Sequence, residues 1–566
     1  MKAGEIVPKL VILIAVITTF FGTCVIAAAA TYYLDATNGN DSNSGTSELS
    51  PWKTIKKVNA STFVPGDQIL FKRGCVWREQ LLTPNGGTTG YPITFGSYGF
   101  GNRPVITGLD LVSGSSWTLD YGNIWKAVVS TEPKLAVFDS ALGINVASKA
   151  ALDADNKWWW SANAFYTYSS TNPGTKYVTP GVQVGARGNA IHVTKNYITL
   201  DGLELQGANT RWMGNVHMEY DGVHDFVMQN CESKWGANGF AIGPKNGGGN
   251  TVRDCLIHHN MVHGISSDTD TGPSISRQNT IQRNVIYSNG SNGIVIDANY
   301  WIIEHNIVHD NGTNTSEDIG IHLYTATADS GSGDYNIIRY NIVYNQKGSA
   351  NDGAGIAIDQ WCDNNQVYYN ICYNNDGPGF YNYDAAGNAF YNNAAYGNCQ
   401  NSSGGLTMKG EFRLTGARTT NTTLKNNIGY AISPSAYAIY LNPDTSQSSF
   451  TITNNLWFST NADWYYFNVT GGNIPGTWNS LTGGTDLNGD PMFVSPGTDF
   501  QLKSASPCIN AGLQVGLSQD FQGNPFYGAV DIGAYEFKGR LSPPPNLKVT
   551  NHEEGLSSAL KPEHRP

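Results

Sequence analysis

All-β, wound as a right-handed parallel β-helix, is the fold class this sequence predicts, and three observations predict it. First, an apolar residue, two polar residues and then Asn or Cys recur along the middle of the chain: Met228 to Cys231, Val252 to Cys255, Ile281 to Asn284, Ile303 to Asn306, Ile338 to Asn341, Val367 to Asn370, Phe390 to Asn393, Leu424 to Asn427 and Ile452 to Asn455. The steps between the last residues are 24, 29, 22, 35, 29, 23, 34 and 28, a period whose variation belongs in the loops of stacked coils. Second, a Gly followed by alternating apolar residues recurs at Gly264-Ile265, Gly293-Ile294-Val295-Ile296-Asp297, Gly320-Ile321-His322-Leu323, Gly355-Ile356-Ala357-Ile358-Asp359 and Gly379-Phe380; period two marks a strand. Third, only 14% of the 566 residues are charged while 64 are Gly, and stretches that favour helix are scarce. The aliphatic spacing is too regular for an Asn-rich disordered tract. In such a coil Ile294, Ile296, Ile356 and Ile358 point inward and stack on equivalents ~4.8 Å away along the axis. The recurring Asn suits an internal ladder, its amide bonding backbone and the next Asn at each bend.

Taken in order, residues 1–30 read as a secretory signal: Lys2 and Lys9 precede an apolar run that ends in Ala27-Ala28-Ala29-Ala30. The alternative is an uncleaved anchor, since the run is long enough to span a bilayer. No later stretch is, so the expectation is an extracellular or periplasmic protein without stable membrane insertion once the signal is removed. Residues 31–108 form the N-terminal cap and first coils. Ser50 is the expected N-cap and Pro51 the first helical position of a short helix over the open end, with Trp52, Ile55 and Val58 on one face. Residues 109–180 interrupt the pattern with Trp117, Trp125, Trp158-Trp159-Trp160, Phe165, Tyr166 and Tyr168. They predict a β-rich insertion that is either a satellite core or a platform for sugar rings. Residues 181–537 carry the coils and a closing C-terminal coil. Residues 538–566, rich in Pro and charge, read as a flexible tail.

The opening Tyr33, Gly39-Asn40-Asp41, Gly45-Thr46, Pro51-Trp52-Lys53-Thr54-Ile55 and Pro65-Gly66-Asp67, with Pro92-Ile93 and Pro104-Val105-Ile106, resembles the start of secreted bacterial β-helix proteins of the pectate-lyase-like superfamily. The terminal stretch 520–537 also looks like theirs. The resemblance covers roughly residues 32–537 and implies the fold. Members include polysaccharide lyases, glycoside hydrolases and alginate epimerases, so it implies a carbohydrate substrate without choosing a reaction. The stretch Tyr220-Asp221-Gly222-Val223-His224 resembles an epimerase Asp/His cluster, but that family's Asp-Pro-His-Glu string is absent. The Asn-Thr-Asp, paired-Asp and Gly-His-Gly set of polygalacturonases is absent too.

A formal net charge of −11 disfavours nucleic acid as a partner. After Cys24, seven Cys remain. Cys231 and Cys255 fall on the same ladder position of adjacent coils, either as a disulfide or as two buried thiols. No CxxC or His pairing points to zinc.

Aligning the Gly-led strands puts Asp268, Asp297, Tyr324, Asp359 and Tyr383 four residues after the Gly, on the outward side, with His322 and Tyr381 outward two residues after it. Like charges on adjacent strands destabilise a sheet unless something uses them. Three uses fit. In glycoside hydrolysis, the preferred reading, Asp297, Asp359, Asp268 and His322 are the catalytic candidates. Carboxyl separations of ~5–5.5 Å suit retention and ~6.5–9.5 Å inversion. A calcium site is the second use, with Asp268 and Asp297 as candidate ligands of a lyase or uronate epimerase, and Lys234, Lys245 or Lys409 as base. The third is structural: each Asp caps a turn, as in a non-catalytic glycan-binding surface solenoid. Trp361, Tyr324, Tyr381, Tyr383 and Lys245 are the candidate substrate contacts, and Glu317 and Asp318 overhang the same face. A monomer acting on a polysaccharide is the expectation.

Overall fold

The computed structural model describes residues 28–538 except 211–212, 219–221, 244–246, 269–273, 313–317, 326–327, 329, 349–351, 402–408, 443–448, 469 and 527. Most of the expected signal, all but one residue of the expected tail, Asp221, Lys245 and Glu317 lie outside the described residues. No described helix is long and apolar enough to cross a membrane.

Three sheets of thirteen strands each form the walls of a right-handed solenoid. One coil shows the plan: Trp301–Glu304 in sheet 1, Ile307–His309 in sheet 2, Ile321–Leu323 in sheet 3. Pairing between coils is parallel and in register, with Ile265, Ile294, Ile321, Ile356, Phe380 and Phe412 in one row of sheet 3. Each of these side chains is 0% or 1% exposed, and burial of one such group stabilises by ~1.5–3 kcal/mol. Strands this short carry too few hydrogen bonds to stand alone, so the stack holds each rung.

The corners between sheets 1 and 2 hold the Asn ladder the sequence marks. The Nδ2 of Asn284 donates to Oδ1 of Asn306 (3.0 Å), Asn306 to Asn341 (3.0 Å), Asn341 to Asn370 (3.0 Å), and so on through Asn393, Asn427 and Asn455 to Asp486. The residue before each ladder position turns through the left-handed region: Arg283, His305, Tyr340, Tyr369, Asn392, Asn426 and Asn454 have φ between 49° and 58°. That conformation costs about 1–2 kcal/mol per non-Gly residue, and the buried amide bonds offset it. A second ladder, unforeseen, lines the corner between sheets 2 and 3: Asn260, Asn289, Asn311, Gln346, Asn375 and Asn398, ending on Glu411. Cys231 and Cys255 are buried thiols. Burial and the neighbouring Cys231 push the Cys255 pKa well up.

The N-terminal helix is Ile55–Asn59, capped by Thr54, whose side chain accepts from the Lys57 N–H. It therefore starts later than Ser50-Pro51 predicts, because Trp52 is held extended in a bridge to Leu34. The other end is closed by the helix Pro475–Thr482, which sinks Trp478 into the core. Pro491 onward does not add a coil as expected. Phe493–Ser495 and Asp499–Leu502 pair antiparallel, and the chain then runs back outside the corner between sheets 1 and 2. There Phe493, Phe500 and Ile532 pack on Tyr369, Ile371, Ala394 and Ile428. Asn392 donates to the Asp531 carbonyl (3.1 Å), Asn426 to that of Leu513 (2.8 Å) and Asn454 to that of Ala511 (3.0 Å).

The aromatic stretch builds a four-stranded and a five-stranded sheet beside the first coils. Strand alternation splits its Trp run. Trp158 packs with Trp117, Phe138 and Phe165 in a separate core, while Trp159 faces the other way, 5.3 Å from the Tyr166 ring. The Lys149 ammonium sits 4.1 Å over Tyr166.

Candidate active site

Sheet 3 brings the predicted acids together. Ile265–Ser267, Ile294–Ile296, Ile321–Leu323 and Ile356–Ile358 are consecutive strands. Asp268, Asp297, Tyr324 and Asp359 are the residues that follow them. The backbone N–H of Asp268 donates to Ile242 O (3.0 Å), that of Tyr324 to Ile296 O (3.1 Å) and that of Asp359 to Leu323 O (2.9 Å). Rungs ~4.8 Å apart put Asp268 one rung from Asp297, and Asp359 two rungs beyond it.

The three carboxyls have unlike surroundings. Asp297 is 7% exposed. Its Oδ1 accepts from Ser332 Oγ (2.5 Å), which adjoins Ser330 Oγ (2.7 Å) and Thr325 Oγ1 (3.2 Å). Its backbone N–H donates to Ser267 Oγ (3.0 Å). Asp268 keeps over a third of its surface exposed, yet desolvation around its carboxyl, and then the charge on Asp297, raise its pKa. Asp359 Oδ1 accepts from the Gln360 N–H (2.7 Å), and Oδ2 is 3.4 Å from Nε2 of the buried His322. The His322 ring lies 5.4 Å from that of Tyr324.

The other predicted contacts fall on and beside this face. Tyr381 pairs with Ala357 one rung on from His322, and its ring is 5.9 Å from Tyr383. The Arg413 guanidinium stacks 4.6 Å over Tyr381. Trp361 lies in the turn past Asp359, its ring covered on one side by Arg418 at 4.1 Å, so that side is closed to a sugar. Asp318 is 1% exposed. Lys234 is on sheet 2, within 2.6 Å of Glu232 and 3.0 Å of Glu204. It belongs to an ion-paired group there, away from the acids. Lys409 is half-buried just before the Phe412–Thr415 strand. His224 is 2.8 Å from Asp225, in the turn before sheet 1.

Sequence reasoning missed Ser332, His263 and Asp334. Ser332 and Asp334 come from a loop whose length hides their register. Burial above all raises Asp334 to about 6. Its Oδ1 accepts from the Asp363 N–H (2.6 Å), and burial, then the charges of Asp359, Asp297, Asp334 and Asp363, pushes the Cys362 thiol pKa well up. Burial, then the charge of His322, lowers His263 to about 4, so its imidazole is neutral at pH 7. Among the described residues no group of three or more His, Cys, Asp or Glu is arranged to hold a metal. Asp268 and Asp297 offer two carboxylates against the ~6–8 oxygens that Ca²⁺ takes.

A family model for a right-handed β-helix region matches residues 178–331. Lacto-N-biosidase from Bifidobacterium longum subsp. longum is 25% identical over 616 aligned positions, which cover 90% of this chain and 36% of that protein. The chain thus spans about a third of its relative's length. The solved complex of XylC with xylose is 14% identical, covers 89% of this chain and 98% of its own, and superposes with a TM-score of 0.64; this likeness bears on the fold. A solved GH136 lacto-N-biosidase from Eubacterium ramulus is 16% identical, covering 75% and 67%, with a TM-score of 0.44.

Proposed function

We propose that this protein is a secreted carbohydrate-active enzyme that hydrolyses glycosidic bonds with the carboxylates of sheet 3. The single observation that carries the reading is the pair Asp268 and Asp297: two acids at the ends of adjacent strands, with Asp268 made harder to ionise by desolvation first and by its neighbour's charge second. An acid that holds its proton more firmly, set beside a second carboxyl, is what acid–base work at one bond requires. The 25% identity to a lacto-N-biosidase supports a glycan substrate.

In this mechanism Asp268 holds the proton and gives it to the leaving oxygen. Asp297, fixed by the Ser332 hydroxyl, attacks the anomeric carbon and carries the glycosyl group. The Asp268 carboxylate then takes a proton from the water that releases the sugar. One rung of separation, ~5 Å, matches the retaining geometry. Asp359, with His322 beside it, faces the same sugar and takes a hydrogen bond from a ring hydroxyl, while Tyr324 sits on the rung between Asp297 and Asp359.

Purified protein is incubated with neutral and uronate glycans, products are weighed by mass spectrometry and the first-formed anomer is read by NMR. Cleavage with retained configuration is expected, with kcat down ~10²–10⁴-fold in Asp268→Asn and in Asp297→Asn. An inverted product would move the pair to Asp297 and Asp359. An unsaturated uronate, absorbing in the ultraviolet, would replace hydrolysis with β-elimination. Wild-type rates in Asp297→Asn would reject the site.

A further inference from the structure

A cavity of about 610 Å³ lies between the aromatic insertion and the coils, outside the acid row. Leu142, Ile144 and Trp158 line it from the insertion; His259, Met261 and Ser288 line it from the coils. Its size falls among small-ligand sites, ~300–1,000 Å³.

Three features set its chemistry. Trp158 is 1% exposed, and its Nε1–H has no acceptor among the described residues. That nitrogen is closed off from the cavity, so the indole meets it as an apolar wall. The lining has no carboxylate. Its one ammonium, on Lys134, is already 2.8 Å from Glu132. Burial, then His258, lowers the His259 pKa, so this imidazole is neutral; its Nδ1 is 2.7 Å from Nδ1 of His258. What remains is an apolar patch of Leu142, Ile144, Met261 and the Trp158 ring beside neutral hydrogen-bonding groups on Ser288 and Asn145.

We propose that this cavity is an accessory saccharide site that takes an uncharged sugar unit. The C–H face of a pyranose would lie on the apolar patch, and its ring hydroxyls would bond the Ser288 hydroxyl and the Asn145 amide. The location fits a subsite for a long glycan. Met261 precedes the strand Ile265–Ser267, and Asp268 follows it, so cavity and acids flank the same short strand. The inference rests on the glycan-cleaving reading for its choice of ligand.

The test uses the full chain carrying Asp297→Asn, with xylotetraose, cellotetraose and chitotetraose as probes. Binding is read by calorimetry and located by hydrogen exchange. At least one probe should bind and slow exchange in 142–145 and 259–261. Ile144→Arg, at a 58% exposed position where folding is tolerant, should weaken it at least tenfold. Met261→Trp, which fills the cavity, should do the same with an unchanged melting temperature. Binding by none of the three, protection elsewhere only, or unchanged affinity in both variants would overturn the site. Protection at 142–145 together with a wild-type protein that cleaves nothing would keep the site and reject the hydrolase reading.

Discussion

Glu411→Gln should stabilise the protein by an amount that grows with pH. Glu411 ends the second amide ladder, 0% exposed, accepting from the backbone N–H of Asn398 (3.0 Å) and from its Nδ2 (2.6 Å). Burial raises its pKa from 4.5 to about 8. The folded state therefore holds a proton that the unfolded chain releases at lower pH. That binding favours the fold below pH 4.5 and is lost progressively as pH rises to about 8. At 1.36 kcal/mol per unit, the cost is ~1 kcal/mol at pH 5 and ~4 kcal/mol at pH 8. Gln has the same shape, never ionises, and already serves at this ladder's Gln346. With an unfolding entropy of ~2.1 cal/mol/K per residue, a chain this long shifts by about 1 °C per kcal/mol. Melting followed by circular dichroism should rise ~4 °C at pH 8 and ~1 °C at pH 5 on substitution. An equal shift at both pH values, or a loss at pH 8, would show that Glu411 does not hold its proton in the fold.

Four further outcomes follow from the same geometry. If Asp268 works as the proton donor, kcat/KM on an activated glycoside should fall as pH rises through its elevated pKa, and Asp268→Asn should abolish that limb. Asn370→Ala removes the acceptor of the Asn341 backbone N–H (3.0 Å) and should cost ~2–4 kcal/mol in urea unfolding, one buried donor being orphaned and a packed amide lost. Trp478→Ala opens the last coil and should cost ~3–5 kcal/mol, with light scattering reporting association through the exposed rung. Cys231 and Cys255 should both alkylate with iodoacetamide in denaturant without prior reduction; protection of the pair would mean a disulfide.

The coil core and the first ladder are readable from sequence because each rung repeats one local demand: an apolar residue inward, a left-handed bend, then an amide. The second ladder obeys the same rule but escapes notice, since Gln346 and Glu411 replace Asn and loops of unequal length separate its members. The acid row is legible for the same reason as the core, because register in a stacked sheet converts sequence position into neighbourhood. Ser332 is not, since it reaches Asp297 from a loop with no period. Nor is the outward return of the C-terminal segment, whose partners Asn392, Asn426 and Asn454 lie up to 141 positions away and carry no local mark. The helix start moves for a simpler cause: Trp52 gains more by joining Leu34 than by opening a helix.

The returning C-terminal segment changes how the molecule answers force. Units that touch only their neighbours peel from a free end, one after another. Here the strap crosses the bends at Tyr340, Tyr369, Asn392, Asn426 and Asn454, so tension on the last unit is shared across all of them. Tugging or proteolytic trimming at that end must first tear the clasp away sideways, and the coils beneath it loosen as one block.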